Sequence, residues 1–424
     1  MSLEDCRDDL ESCSRCSMCK FIPMEVISGY DFAAVCPSIS RYNFHSFSAG
    51  GKLNMALAMI DGRIEYTDKL VEMIYQCNMC GGCDVSCKYN RDIEPLEALY
   101  QFRIQCVGDG QLVPAHMFVI EGLRKEDNMM CASKSDRGNW AAGLDVKNLS
   151  EETADVYFHA GCRYSFDEEL WPTVRSTVNL LLKAGVDVGI LRKDETCCGG
   201  RSYELGYQGE LTKYAEHNME MLRTAGVKTL VTACADCYHS FKVLYHKIGN
   251  KLDVEVLHIT EYLERLIRDG RLKITKPVPM VVTYHDPCHL GRMGEPWIPW
   301  EGVRSKGDGL IALHEPPKEF RRGTHGVYEP PRNVLNSIPG LELVEMVRNR
   351  ERAWCCGAGG GVIDAFPEFA IWTAQERINE AKSTGAEAIV TACPWCKRNL
   401  SDAVAESGDT YPVYDIVEIL EQAI

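Results

Sequence analysis

The chain has 424 residues with 61 acidic against 46 basic side chains and a formal charge of −15. That balance excludes nucleic acid and anionic membrane surfaces as partners, because both need a basic face. Hydrophobic residues make up 45% of the chain, enough for ordinary cores, and the length suggests roughly two to four domains. The nearest approach to a membrane span, VNLLLKAGVDVGIL, is short and carries Lys183 and Asp187. The expectation is therefore a cytoplasmic protein that reaches a membrane only through a partner.

The N-terminal MSLEDCRDDL is acidic and no apolar run follows it, so it does not read as a secretory leader. Cys13, Cys16, Cys19 and Cys36-Pro37 come next, then Cys77, Cys80, Cys83 and Cys87. This is the spacing of a bacterial two-cluster ferredoxin, in which a run of close thiolates holds three corners of a [4Fe-4S] cube and the other run supplies the fourth. Cubane 1 would then use Cys13, Cys16, Cys19 and Cys87, and cubane 2 would use Cys77, Cys80, Cys83 and Cys36. The departures are a long gap before Cys36 and Lys88 in place of a proline; neither changes the ligand count. KLNMALAMIDG, TDKLVEMIYQC and EPLEALYQFRIQC carry apolar residues at helical spacing. They predict a helical two-cluster domain over residues 1–130, followed by a linker at 131–152 rich in Ser, Asn, Gly and Lys.

Beyond the linker the pattern changes to short β-branched strands alternating with helices. ADVYFHAGC, VDVGIL, TLVTAC and VEVLHI read as strands, and STVNLLLKAG, YAEHNMEMLRTAG, HSFKVLYHKIG and ITEYLERLIRDG read as the helices between and after them. MVVTYHDPC, LELVEMV, AIVTAC and YPVYD repeat the order, with helices at AIWTAQERINEAKSTG, PWCKRNLSDAV and the C-terminus. The fold class is α/β: two duplicated half-domains, 153–275 and 276–424, with parallel sheets and an approximate two-fold behind the helical ferredoxin-like domain.

Each half carries the same cysteines: Cys162, Cys197-Cys198-Gly199, Cys234 and Cys237, then Cys288, Cys355-Cys356-Gly357, Cys393 and Cys396. In parallel sheets the binding crevice lies at the carboxyl ends of the strands, where several of these thiols fall. Structural zinc and disulfides are the competing readings. Zinc takes four ligands in a closed tetrahedron, whereas each C-terminal set offers five thiols, and nothing directs the chain to an oxidising compartment. Cys6, Cys106 and Cys131 fit neither pattern and read as free thiols.

The paired CCG repeats behind a two-cluster ferredoxin region resemble the catalytic subunit of heterodisulfide reductase and its relatives, among them iron-sulfur subunits of glycolate and lactate oxidases and of class II benzoyl-CoA reductase. The resemblance covers nearly the whole chain. It implies that each repeat holds a non-cubane [4Fe-4S] cluster, one on Cys162, Cys197, Cys198, Cys234 and Cys237 and the other on Cys288, Cys355, Cys356, Cys393 and Cys396. It further implies an anaerobic oxidoreductase subunit in which electrons pass through the two cubanes to the non-cubane pair, which splits a disulfide or, in reverse, oxidises two thiols. Partner subunits, flavin or iron-sulfur proteins, would supply the electrons, since no dinucleotide or Walker motif is present. The alternative is a pure electron relay with the chemistry on a partner.

Product thiols need a proton donor. His285 and His289 flank Cys288 and are the catalytic candidates, with His159 and His239 beside the first repeat; backbone or cluster hydrogen bonding is the plainer role for each. Arg163, Arg201 and Arg292 lie close to the thiols and serve substrate carboxylates or charge compensation. Cys288 and Cys355 are 67 residues apart against 35 for Cys162 and Cys197, so the second half carries an insertion at about 291–332, expected to form a lid or docking loop.

Overall fold

The computed structural model describes residues 1–27, 29–306, 312–319 and 321–424. Of the insertion, residues 307–311 and 320 lie outside the described residues.

The N-terminal part is helical. The helix Ala49–Ile60 starts at Ser48, whose side chain accepts from the Gly51 N–H, and Asp68–Tyr75 starts at Thr67, which accepts from Leu70. Such caps satisfy N–H groups that the first turn leaves free. The second helix turns Leu70, Ile74 and Tyr75 inward, at the spacing its sequence sets. Gly82–Cys87 carries two of the second-run thiols, and Pro95–Gly108 is buried along most of its length. A further helix, Pro114–Glu126, opens on proline in its first turn and buries His116, Val119, Ile120 and Leu123.

Two parallel sheets follow. The first contains β1 (Lys147–Asn148), β2 (Val156–His159), β3 (Val188–Ile190), β4 (Thr229–Thr232) and β5 (Glu255–His258), in the order β1-β3-β2-β4-β5. The second contains β6 (Met280–Tyr284), β9 (Leu341–Val344), β10 (Ala388–Thr391) and β11 (Val413–Asp415), in the order β11-β10-β6-β9. Between β6 and β9 the insertion contributes an antiparallel hairpin, β7 (Val303–Lys306) and β8 (Ala312–Glu315). Without β1, the sheets have one topology: β3-β2-β4-β5 corresponds to β9-β6-β10-β11. The duplication extends to capping. The helix after β5 is capped by His258 with Glu261 in a reciprocal box, and the helix after β11 by Asp415 with Glu418.

The segment expected as a linker is structural. Its β1 pairs with β3, Trp140, Ala141, Val146 and Leu149 enter the main core, and Arg137 is buried. Polar composition suggested a tether, but the apolar residues at intervals within it suffice to anchor it. The same core runs from Met79, Leu99 and Ile120 through both sheets, so the helical domain and the two repeats are packed as one body. HSFKVLYHKIG also differs from a single α-helix: a wide π turn over Ser240–Leu244 separates Ala235–His239 from Tyr245–Lys247.

The insertion lies on the helical domain. Arg304 pairs with Asp9 at 2.7 Å and Lys318 with Glu94 at 3.2 Å. Gly323, at φ +75°, sits where a Cβ would come 2.6 Å from that of Arg292, so the approach needs glycine. Trp297 carries Arg321 and Lys247 over its ring, and with Trp300 it walls a cavity of about 340 Å³ that reaches His239 and Arg292.

Candidate iron-sulfur centres

The eight N-terminal thiols fall into two groups. One cavity is lined by Cys13, Cys16, Cys19 and Cys87, and a second by Cys36, Cys77, Cys80 and Cys83. Each group thus joins three thiols of one run to one thiol of the other. Gly50 stands over the first group, where a Cβ would lie 3.5 Å from the Cys13 sulfur, and its N–H donates to Cys19 Sγ at 3.4 Å. Lys88, which replaces the proline, is buried with Nζ 2.8 Å from Glu94 Oε1 and donates to the Ile93 carbonyl. An ion pair here takes over the anchoring of the chain after Cys87.

The ten repeat thiols lie at the carboxyl ends of the strands. In the first repeat Cys162 meets Cys197, Cys197 meets Cys198, Cys198 meets Cys237, and Cys237 meets Cys234. In the second, Cys288, Cys355, Cys356, Cys396 and Cys393 touch in the same succession. All ten are buried. Gly199 N–H donates to Cys197 Sγ and Gly357 N–H to Cys355 Sγ, both at 3.3 Å. Gly199 and Gly357 have positive φ, which turns these amides toward the sulfurs. Asn218 donates to the carbonyl of Cys197, the first thiol residue of its pair, while the carbonyl of the second residue is held by the Tyr245 hydroxyl at Cys198 and by Asn399 at Cys356.

The groups are also contiguous with one another. Cys80 packs with Cys288 and Cys355, and the Cys355 thiol beside it lowers its pKa to about 5. Cys234 meets Cys393 across the boundary between the repeats. Cys19 and Cys83 pack with Ala49 between the two N-terminal groups. Thiols therefore run in contact from Cys80 through the second repeat to the first, and Ala49 stands between the two N-terminal groups at Cys19 and Cys83.

The charged residues around this array are buried. His289 lies between two carboxylates, with Glu204 Oε1 2.5 Å from Nε2 and Asp236 Oδ1 3.0 Å from Nδ1, and Cys288 Sγ is 3.6 Å from Nδ1. Burial opposes charge on this ring, but Asp236 and Glu204 outweigh it and hold its pKa well above the ordinary range. His239 lies against His289 with centroids 5.1 Å apart and ring planes tilted by 53°, and burial pushes its pKa well down. His285 receives a hydrogen bond at Nδ1 from Arg377 Nε at 3.0 Å, and His159 Nδ1 lies 2.9 Å from the Tyr157 hydroxyl. The Nε2 atoms of both are buried without a nitrogen or oxygen partner, and His285 faces the Cys356 thiol.

The three arginines named from sequence sit in fixed contacts. Arg201 pairs with Asp236 and lies 3.7 Å over the Trp395 ring, Arg163 pairs with Asp167 on the same indole, and Arg292 donates to the carbonyls of Cys80, Glu351 and Ala353. Sequence reasoning missed Arg137, Glu195, Glu204, Asp236 and Arg377. Glu195 accepts from Arg137 and from the Ala160 and Gly161 N–H groups, while Arg137 Nη2 reaches 3.7 Å from Cys162 Sγ. The available signal was proximity, since Glu195, Glu204 and Asp236 are all near thiols in sequence. Arg137 lay in the expected linker and Arg377 in the middle of a helix.

The residues fit an iron-sulfur group. The donor set is thiol-rich, the cradle is so close that a Cβ at Gly161 would lie 2.8 Å from Cys237 Sγ, and two imidazole nitrogens face the thiols with no nitrogen or oxygen partner.

A helical eight-thiol domain followed by two parallel-sheet repeats of five thiols defines an iron-sulfur protein with duplicated cysteine-rich domains. Residues 9–90 match the 4Fe-4S dicluster domain family, and residues 156–242 and 311–401 match the CCG cysteine-rich domain. The chain is 30% identical to the D-type subunit of dihydromethanophenazine:CoB--CoM heterodisulfide reductase of Methanosarcina mazei, over 98% of this chain and 94% of that protein. It is 29% identical to EtfAB:quinone oxidoreductase of Syntrophomonas wolfei over 83% of this chain and 47% of that protein. A crystal structure of a hypothetical protein from Helicobacter pylori superposes with a TM-score of 0.54 at 12% identity, covering 89% of this chain and 67% of that one, a likeness of fold. The chain belongs to the family of the heterodisulfide reductase D-type subunits and is an oxidoreductase carrying [4Fe-4S] clusters.

Proposed function

We propose that the chain is the iron-sulfur subunit of a multi-subunit oxidoreductase, taking electrons at two cubanes and performing thiol/disulfide redox at the paired CCG repeats. Cubane 1 is assigned to Cys13, Cys16, Cys19 and Cys87, and cubane 2 to Cys36, Cys77, Cys80 and Cys83. The non-cubane clusters are assigned to Cys162, Cys197, Cys198, Cys234 and Cys237, and to Cys288, Cys355, Cys356, Cys393 and Cys396. Contiguity is the main support for this reading: Cys80 lies against Cys288 and Cys355, and Cys393 lies against Cys234. When bound, the clusters supply one-electron steps; the protein supplies burial, charge and protons. Glu204 and Asp236 keep a proton on His289, 3.6 Å from Cys288 Sγ, where a product thiolate needs one. His285, by contrast, is assigned to the cluster environment.

The partner would be a flavin or iron-sulfur subunit that supplies the electrons. Among the described residues no helix is long and apolar enough to cross a membrane, so contact with a membrane is assigned to a partner. The insertion at about 291–332 is read as a lid or docking loop, held on the helical domain by its ion pairs to Asp9 and Glu94. The segments 1–130, 153–275 and 276–424 are assigned as units of function, not as separate cores.

A relay role is the second reading. It draws on EtfAB:quinone oxidoreductase and on the probable iron-sulfur-binding oxidoreductase FadF of Bacillus subtilis, which is 28% identical over 89% of this chain but only 50% of its own length. Those relatives carry as much chain again, room for chemistry outside the thiol-bearing part. Anaerobic purification with iron and sulfide quantitation, and EPR of oxidised protein before and after thiol addition, separates the readings. About sixteen irons per chain and a thiol-induced signal support disulfide chemistry; the same iron with no thiol response supports the relay; about eight irons overturns both assignments of the repeats.

A further inference from the structure

The two repeats match in topology, thiol contacts and capping, yet the buried histidine three residues before the first thiol of each is held differently. In the second repeat Arg377 Nε lies 3.0 Å from His285 Nδ1. A guanidinium N–H only donates, so Nδ1 must present its lone pair, and the ring hydrogen sits on Nε2. That Nε2 has no nitrogen or oxygen partner and faces the Cys356 thiol, and His285, Cys356 and Cys396 bring their ligand atoms within 4.8 Å of one another. Taken by distance alone, such a triad looks like three metal ligands. The hydrogen on Nε2 forbids that for His285. Arg377 is itself fixed, donating through Nη1 to Glu380 and to the Arg348 carbonyl, all fully buried.

In the first repeat His159 Nδ1 faces the Tyr157 hydroxyl at 2.9 Å, and the same hydroxyl lies 3.4 Å from Glu195. A hydroxyl turns its single hydrogen to either acceptor, so His159 can carry its hydrogen on either nitrogen. Each repeat thus has a buried carboxylate–guanidinium pair, but Nδ1 faces a hydroxyl that leaves the tautomer adjustable in the first and a guanidinium that fixes it in the second.

We propose that His285 is a dedicated N–H donor to the sulfur of the group held by the second repeat, not an iron ligand, and that Arg377 is the positioning residue that locks it so. This deepens the reading that the second repeat holds an iron-sulfur cluster and rests on it. Hydrogen bonds to cluster or thiolate sulfur stabilise the reduced, more negative state and raise its potential. His285 therefore raises the potential of the group held by the second repeat.

The test uses the full chain purified anaerobically with 15N-labelled histidine, comparing native protein, His285→Leu and Arg377→Lys, the last of which keeps a cationic N–H donor. Iron content is measured first in all three. With iron equal, native protein shows an exchangeable-proton hyperfine coupling that His285→Leu loses and Arg377→Lys keeps, and His285→Leu shifts one potential downward. A strongly coupled 15N signal that disappears in His285→Leu establishes an iron–nitrogen bond and overturns the proposal. An unchanged proton coupling and potential in His285→Leu overturns it as well. Iron near eight per chain in native protein instead defeats the occupancy reading; the tautomer is then read from the histidine 15N shifts, where an Nδ1-protonated His285 rejects the lock.

Discussion

Glu204 Oε1 lies 2.5 Å from His289 Nε2, and the contact crosses from the first repeat to the second. Glu204 follows Cys197-Cys198 on a short helix, its other oxygen accepts from the Gly360 N–H at 3.0 Å, and Asp236 closes the opposite side of the ring. Each repeat thus completes the other's surroundings. The ring holds its proton because these carboxylates overcome burial.

Glu204→Gln removes one of the two carboxylate charges that, with the Cys288 sulfur, raise the His289 pKa. The proton is then lost at lower pH, so the alkaline limb of disulfide reduction moves to lower pH. At neutral pH the rate falls by about 10–100-fold, the loss typical of removing a partner that holds a functional residue in place. Rates across pH with an artificial electron donor check it, and a scaled profile with an unmoved limb contradicts it.

Glu195→Ala strands the Arg137 guanidinium, which is 1% exposed, and removes the acceptor of the Ala160 and Gly161 N–H groups. Breaking one side of a buried pair costs about 3–5 kcal/mol, so the variant should unfold at clearly lower denaturant. Glu195→Gln, which keeps one acceptor oxygen, should lose less. Equal midpoints for native protein and Glu195→Ala would show that water replaces the carboxylate.

Asp415 offers a pH test. Its carboxyl accepts from the Tyr164 hydroxyl of the other repeat and from the Val417 N–H, but burial pushes its pKa up to about 7. The folded chain therefore holds this proton more tightly than the unfolded chain, where the group titrates near 3.8. Its contribution favours folding at low pH and is lost as pH rises from about 4 to 7. Asp415→Asn caps the same helix without titrating. It should gain on native protein by roughly 1.4 kcal/mol per pH unit at most between pH 5.5 and 7, read from unfolding midpoints. A constant difference over that range rejects the shifted titration.

Cys80→Ala removes a thiol that packs with Cys288 and Cys355. If Cys80 belongs to the second cubane, iron falls by about four per chain while the repeats keep theirs, and electrons from a donor at the first cubane no longer reach the repeats. Iron analysis with donor-driven reduction followed by EPR measures both. Unchanged reduction of the repeats would place the entry point elsewhere.

The thiol groups were legible in the sequence because iron-sulfur ligation depends on residue type and short spacing, and the strand-helix alternation was legible because burial imposes periods of two and 3.6. TLVTAC and AIVTAC read as strands ending at thiols, and β4 and β10 end two residues before Cys234 and Cys393. The expected linker failed because Trp140 and Leu149 anchor to a core made of distant strands, which no local window contains. Polarity alone did not mark the segment as structural.

Residue order alone thus sets the inventory: eighteen patterned thiols, a duplicated α/β unit and an excess of acidic side chains. Adjacency belongs to the folded chain. Cys80 beside Cys355, Cys234 beside Cys393, Glu204 against His289 and Arg377 behind His285 join residues 275, 159, 85 and 92 positions apart in the chain. Electron transfer, proton supply and tautomer choice depend on distances of a few ångström, and such distances between remote residues arise only when the two sheets and the helical domain close on one core.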